Sequence, residues 1–296
     1  DEEWRIDSFG CYLLMVETIS EHGCFGGVQG FYSHHSICNG LPMRFSVYQP
    51  PQAKCGPVPV LFFLAGLTAT EETFMIKAGA QRLAAEYGLM LVSPDTSPRN
   101  TGIEGATKDW DFGEGAGFYV DATEAPWRTH FQMETWVVEE LRELVCATFP
   151  ARPDRIGIFG HSMGGHGALT LALRHPNIYK SVSAFAPICA PTQCAWGHNA
   201  FSKYLGADTA QWQAHDASEL VRLDPVRFPQ GILIDQGLSD KFLAEQQLRP
   251  DLFEDACREA GQPLTLRRHE NYDHGYCFIS TFIADHLAAH HGVLSA

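Results

Sequence analysis

Long apolar runs are missing from this 296-residue chain. None approaches the roughly 20 residues that a membrane-spanning helix needs, so no membrane partner is expected. Positive charge is also scarce: 21 Lys and Arg stand against 35 Asp and Glu, a net charge of −14 at pH 7 with His neutral. Nucleic acids and anionic membranes require a basic footprint, so neither is expected as a partner. An anionic small molecule stays compatible, because the local field of a cleft can oppose the global sign. There is no C-x-x-C pair. The nine cysteines, at 11, 24, 38, 55, 146, 189, 194, 257 and 277, form an odd and widely spaced set. Cys189 and Cys194 are the nearest pair, and His198 alone does not complete a zinc set, so no metal is expected. Reduced thiols in a cytoplasmic protein are the reading that follows. Internal repeats and low-complexity tracts are lacking too. Asp1–Ser8 is acidic where a secretory leader would be basic. Residues 1–14 are therefore expected to be a mobile extension, with Met15 an alternative start, followed by one catalytic domain over 15–296.

What the chain does contain is punctuated by buried strands. Val28–Ser33 and Met43–Tyr48 alternate apolar and polar residues, as antiparallel strands with one wet face do. Val58–Leu64, Leu89–Val92, Ile156–Phe159, Ser181–Ala186, Gly231–Asp235 and Leu264–Arg268 are shorter apolar runs, suited to strands covered on both faces. Helical patterns lie between them: Thr70–Thr73 opens one, Ala78–Tyr87 continues it, and Gln132–Thr148, Leu248–Ala260 and Tyr276–His290 supply others. Glu139, Glu140, Arg142 and Glu143 would mark the wet side of the 132–148 helix. Such alternation calls for an α/β fold, a mainly parallel sheet with helices on both faces, to which the first two strands add an antiparallel edge hairpin. Residues 96–129 resist assignment. Their glycines and interleaved aromatics suit a functional Ω-type loop, or else an insertion whose rings cover the core.

The chemistry centres on Gly160-His161-Ser162-Met163-Gly164, which joins an apolar strand to a helix. That is the setting in which G-x-S-x-G acts as a nucleophile elbow. At average Gly and Ser usage, about 0.1 chance matches are expected in a chain this long, so partners for Ser162 must decide. An acid belongs after the next strands, at the carboxyl end of the sheet. Asp240, beyond Gly237, is preferred over Asp235, which sits at the strand's end and is expected to satisfy local backbone donors. The base is expected after the last strand, where Asn271-Tyr-Asp-His274-Gly275 forms a polar turn. His269 is still on the strand, and His286, His290 and His291 are expected to be solvated on the last helix. Asp273 cannot easily orient its neighbour His274 and is expected to shape the loop or cap the helix. His161 and His166 are expected to pack the elbow. In this reading Ser162 attacks a carbonyl, His274 shuttles the proton and Asp240 fixes the imidazole. Backbone N–H groups of Met163 and Leu67 are the oxyanion donors. Together with the order Ser, Asp, His, this is an α/β-hydrolase fold with its triad.

Several blocks then resemble the S-formylglutathione hydrolase (esterase D) family of carboxylesterases. They are Cys24–Gly27, Met43–Pro51, Leu64–Thr68, Trp110–Thr123, Gly160–Gly167, Ile234–Gly237 with Asp240–Phe242, and Tyr272–His274, spanning about residues 17–290. Carried over position by position, the resemblance implies Ser162, Asp240 and His274 as triad, and Leu67 and Met163 as oxyanion donors. It implies hydrolysis of S-formylglutathione in formaldehyde detoxification, side activity on short-chain esters, no cofactor, and a homodimer as the frequent assembly. It also makes the 110–123 block part of the active-site wall. From composition, Trp110, Phe112 and Trp196 are expected to crowd the acyl pocket. A general short-chain carboxylesterase or acyltransferase is the alternative, and a non-catalytic binding protein the remote one. One departure stands out: many relatives carry Cys where this chain has Ala69. Iodoacetamide is therefore expected to spare activity at that site, and rapid inactivation traceable to no other cysteine would contradict this.

Overall fold

The computed structural model describes residues 15–223 and 226–296; the expected extension at 1–14 lies outside the described residues. Nine strands form one sheet in the order β1-β2-β3-β5-β4-β6-β7-β8-β9. These are β1 (Val16–Cys24), β2 (Gly27–His35), β3 (Pro42–Gln49), β4 (Val58–Leu64), β5 (Met90–Pro94), β6 (Ala151–His161), β7 (Tyr179–Phe185), β8 (Ile232–Gly237) and β9 (Leu264–His269). From β5 through β9 neighbours run parallel, whereas β1, β2, β3 and β5 pair antiparallel. The sheet is thus mainly parallel with an antiparallel edge, as expected.

The edge has three antiparallel strands rather than two. β1 carries no buried residue, so it lacked the alternation that marks a half-buried strand. A two-residue turn, Phe25 (φ 46°) and Gly26 (φ 76°), joins it to β2.

Alternate side chains of the central strands serve two layers. Leu64 meets Gly167 of the Met163–Arg174 helix, while Phe159, Ser181 and Ser183 face the Tyr276–Leu294 helix. The Met163–Arg174 helix is buried from Met163 to Leu173, so its apolar character extends all round. The expected 70–87 helical stretch is two helices, Glu71–Lys77 and Gln81–Tyr87, parted by Gly79 at φ 68°. Residues 133–148 form one helix that widens into a π turn at Trp136–Leu141. Glu140 there is not simply wet: its carboxylate accepts from Ser36 Oγ and from the Ile37 and Cys38 N–H groups. Among the described residues no helix is long and apolar enough to cross a membrane.

Two histidines expected in water are inside. His286 and His290 are 0% and 1% exposed, because their face of the last helix packs on β6 and β7. His290 bonds Ser181 and Ser183 through its two ring nitrogens, at 2.6 and 2.8 Å, and His286 bonds Ser183 at 2.7 Å. Burial pushes His290 and His166 down to about 3, so both are neutral near pH 7. Below the unfolded-state value of about 6.5 the unfolded chain binds protons that the native state refuses. Stability should therefore fall as pH drops from about 6.5 toward 3, by about 1 kcal/mol per pH unit for each such histidine. Urea unfolding at pH 7, 5.5 and 4.5 checks this; a flat profile would contradict it.

Candidate active site

β6 delivers the elbow. Ser162 follows it with φ 59° and ψ −120°, a region sparsely populated by residues other than glycine. Its N–H donates to the Phe185 carbonyl at 3.0 Å, and its carbonyl accepts from Ile188 at 3.2 Å. Two glycines permit the turn. A Cβ on Gly160 would lie 2.1 Å from the Gly164 oxygen, and one on Gly164 would lie 1.9 Å from the Leu64 oxygen. Met163 opens the helix. The first intrahelical bond runs from His166 N–H to the Ser162 carbonyl, so the Met163 N–H has no partner within the helix.

The loop after β8 places Asp240, 1% exposed. Its carboxylate accepts from Phe242 N–H at 2.8 Å and Gln236 Nε2 at 3.3 Å, and bonds His274 Nδ1 at 2.5 Å. His274 sits in the turn after β9. With Nδ1 engaged, Nε2 is the nitrogen left for Ser162, which lines the same cavity. The loops of acid and base are laced together: Leu238 N–H donates to the His269 carbonyl and Ser239 N–H to the Tyr272 carbonyl, both at 2.9 Å. Asp273 accepts from Gly275 N–H at 2.8 Å and so shapes the base's loop.

Asp235 has a different task from the one expected of it. Instead of backbone donors it binds side chains: Arg267 through two nitrogens at 2.6 Å each, His269 at 3.0 Å and His286 at 3.1 Å. Burial alone would raise this carboxyl, but hydrogen bonds from His286 and Arg267 hold it well below the usual range. It is 0% exposed and saturated, and it does not line the cavity.

His161 lies beside the base, with ring centroids 4.4 Å apart, and against Tyr276 at 6.1 Å. Burial, reinforced by His274, holds it well below its ordinary value, so it adds no charge to the site. His166 Nε2 bonds the Phe118 carbonyl at 3.0 Å and ties the elbow helix to the long loop. Of that loop only Trp110 lines the cavity; most of the 110–123 block, expected as active-site wall, instead packs behind the elbow because its rings face the core. Tyr119 packs on Gly167 and donates to the Ala65 carbonyl at 2.9 Å, while Trp110 stands at the cavity mouth.

The cavity has a volume of about 360 Å³. Ser162, His274, Leu67, Trp110 and Trp196 line it. Phe112 does not. It is 3% exposed and packs on Trp127 and Tyr204, centroids 4.6 and 4.7 Å away, because its side of the loop faces inward. Phe242, Tyr276 and Lys77 also line it and were not singled out from sequence. Phe242 follows the acid by two residues and Tyr276 follows the base by two, and that adjacency was the available signal. Phe242 is edge-on to His274 at 4.8 Å and tilted against Trp196 at 4.7 Å, so the aromatic wall reaches the base itself. A cavity lined by a hydroxyl, an imidazole fixed by a buried carboxylate and the Leu67 turn, with the adjacent Met163 N–H unused by its helix, has the equipment for acyl transfer.

Comparison with known proteins is concordant. Residues 38–289 match the family described as putative esterase. The S-formylglutathione hydrolase of Mus musculus is 52% identical over 289 residues, covering 96% of this chain and all of that protein. That of Paracoccus denitrificans is 51% identical over 277 residues, covering 94% of this chain and 98% of its own length. The chain belongs to the S-formylglutathione hydrolase family of esterases. The solved structure of an S-formylglutathione hydrolase from Agrobacterium tumefaciens superposes with a TM-score of 0.91 at 50% identity, over 94% of this chain and 99% of that one.

The two buried aspartates of this family member should respond oppositely to amidation. Asp240→Asn is expected to lower kcat on p-nitrophenyl acetate by about 10⁴-fold with little change in melting. Asp235→Asn removes the carboxylate on which Arg267, His269 and His286 converge, although Arg267 keeps Asp285, and is expected to cost about 1.5–3 kcal/mol of stability. Loss of activity without loss of stability in Asp235→Asn would reverse the assignment.

Proposed function

We propose that the protein hydrolyses S-formylglutathione to glutathione and formate through a formyl-serine intermediate, with short-chain esters as secondary substrates. The observation that carries this reading is the extent of the likeness: about half of all residues are shared with curated S-formylglutathione hydrolases over nearly the whole chain. The site supplies a matching mechanism. His274 Nε2 takes the Ser162 proton as Oγ attacks the formyl carbon. The carbonyl oxygen becomes an alkoxide held by the Leu67 and Met163 N–H groups. Asp240, bonded to Nδ1, stabilises the imidazolium. Collapse expels a thiolate, whose conjugate acid has a pKa of about 8.5, so C–S cleavage need not wait for protonation, and His274 gives the departing sulfur the Ser162 proton and returns to neutral. Water then enters, gives its proton to His274 and releases formate.

The cavity wall supports both parts of the specificity. A formyl group is the smallest acyl group, and Trp110, Trp196 and Phe242 narrow the space beside His274. Glutathione brings two carboxylates and one ammonium. Lys77 stands in the lining, where no carboxylate of the described residues joins it, although the whole chain has a net charge of −14. The aromatic wall equally suits aryl esters, which favours a general short-chain carboxylesterase as the second reading. The free thiols of the described cysteines fit a reducing compartment such as the cytoplasm.

Steady-state kinetics separate the two readings. S-formylglutathione is expected to exceed p-nitrophenyl acetate in kcat/KM, and the reverse order would favour the general esterase. Lys77→Ala should raise KM for S-formylglutathione about 2- to 5-fold, the size of one exposed ionic contact, and leave the neutral ester unchanged.

A further inference from the structure

The turn that carries Leu67 is gripped from outside the cavity. Ala69 N–H donates to the Gly66 carbonyl at 3.2 Å and closes residues 66–69 into a turn, with Thr68 at φ 69°. Thr68 N–H donates outward, to the Gly115 carbonyl at 2.9 Å. Of the turn's inner N–H groups, Leu67's is left to face a ligand. The turn's exit carbonyl, on Ala69, accepts two hydrogen bonds, from Thr96 Oγ1 at 2.6 Å and from Arg99 Nη2 at 2.9 Å. Arg99 is itself braced by Asp95, with Nη2 2.7 Å and Nε 3.1 Å from its carboxylate oxygens. Asp95 is 3% exposed, directly follows β5, and is pinned to β3 by its N–H on the Arg44 carbonyl at 3.0 Å. On the other flank, Ser97 Oγ accepts from Gly115 N–H at 2.7 Å and so steadies the acceptor of Thr68. Residues 95–99 hold the turn at both ends, yet none of them lines the catalytic cavity.

An oxyanion hole works because its donors are aimed before the charge develops; a donor free to swing must be reoriented during the reaction. Arg99 is suited to prevent that swing. Its planar fork is locked on one carboxylate and leaves one N–H to reach Ala69, where a lysine would offer a mobile point charge. We propose that Arg99, braced by Asp95, is a positioning residue for the oxyanion hole: it holds the Ala69 carbonyl and thereby keeps the Leu67 N–H aimed at the reacting carbonyl oxygen. The proposal rests on the serine-hydrolase reading of the site and not on the identity of the thioester.

The test uses p-nitrophenyl acetate and two inhibitors of one shape. An aryl trifluoromethyl ketone adds to serine and forms a tetrahedral alkoxide, whereas the matching methyl ketone binds without that adduct. Arg99→Ala should lower kcat about 10- to 10²-fold with KM within about threefold, as expected for a misaimed rather than a deleted donor. Affinity for the trifluoromethyl ketone should fall in step with kcat/KM while the methyl ketone is unaffected. Arg99→Lys should recover part of the loss, and millimolar guanidinium should partly rescue Arg99→Ala. A kcat within twofold of wild type, or equal weakening of both ketones, would overturn the proposal. Should Arg99→Ala fail to fold, Thr96→Val and Arg99→Lys decide: selective loss of the trifluoromethyl ketone supports the strut, and no selective loss overturns it. Wild-type turnover of the aryl ester is the control, since its absence would count against the reading of the site instead.

Discussion

Ser162 holds its φ of 59° only because backbone meets backbone around it. β4, β6 and the Met163–Arg174 helix converge so closely that neither Gly160 nor Gly164 has room for a methyl group. The strained serine conformation, of order 1–3 kcal/mol, is sustained by that contact. The same approach has a second effect. The chain leaving β4 passes directly over the serine, where even a Cβ on Gly66 would come within 3.0 Å of Ser162 Cβ. Leu67, the next residue, thereby lines the cavity beside Ser162, and one packing constraint sets both the elbow and the turn proposed to supply an oxyanion donor.

The acid and base are placed by loops, and loops need restraint from elsewhere. Gly237 lets the acid loop press on the base loop, since a Cβ there would lie 2.4 Å from the Tyr272 oxygen. Beneath them Arg267, His269 and His286 converge on the buried Asp235 and join β8, β9 and the last helix. Two aspartates five residues apart thus divide the work. Asp235 neutralises and ties the scaffold, and Asp240 gives one oxygen to Phe242 N–H and presents the other, shared with Gln236 Nε2, to His274. The long loop provides the corresponding restraint on the oxyanion side.

Much of this was legible in the residues. The elbow, the buried strands and the polar turn at 271–275 announce themselves by local chemistry: small residues around a serine, β-branched and apolar runs, a histidine between a strand and a helix. β1 was not legible, because a strand wet on both faces has no hydrophobic period. His286 and His290 read as solvated because their helix is apolar on several sides, and only the sheet selects which side is covered. Phe112 and Trp110 belong to the same aromatic stretch, and nothing in their spacing says which one turns inward. Lys77 is far from the elbow in sequence, and its place in the cavity wall depends on where the Glu71–Lys77 helix lies.

The sequence by itself determined the strands from β2 onward, the elbow and the candidates for nucleophile, acid and base, because those follow from short-range periodicity and turn chemistry. Tertiary structure alone decided what Asp235 binds, that Phe112 turns away from the cavity while Phe242 and Tyr276 line it, and what holds the Leu67 turn. Those outcomes depend on distances between segments far apart in the chain, such as Ala69 and Arg99 or Asp235 and His286. Such distances are set by packing over the whole sheet, which no local pattern records.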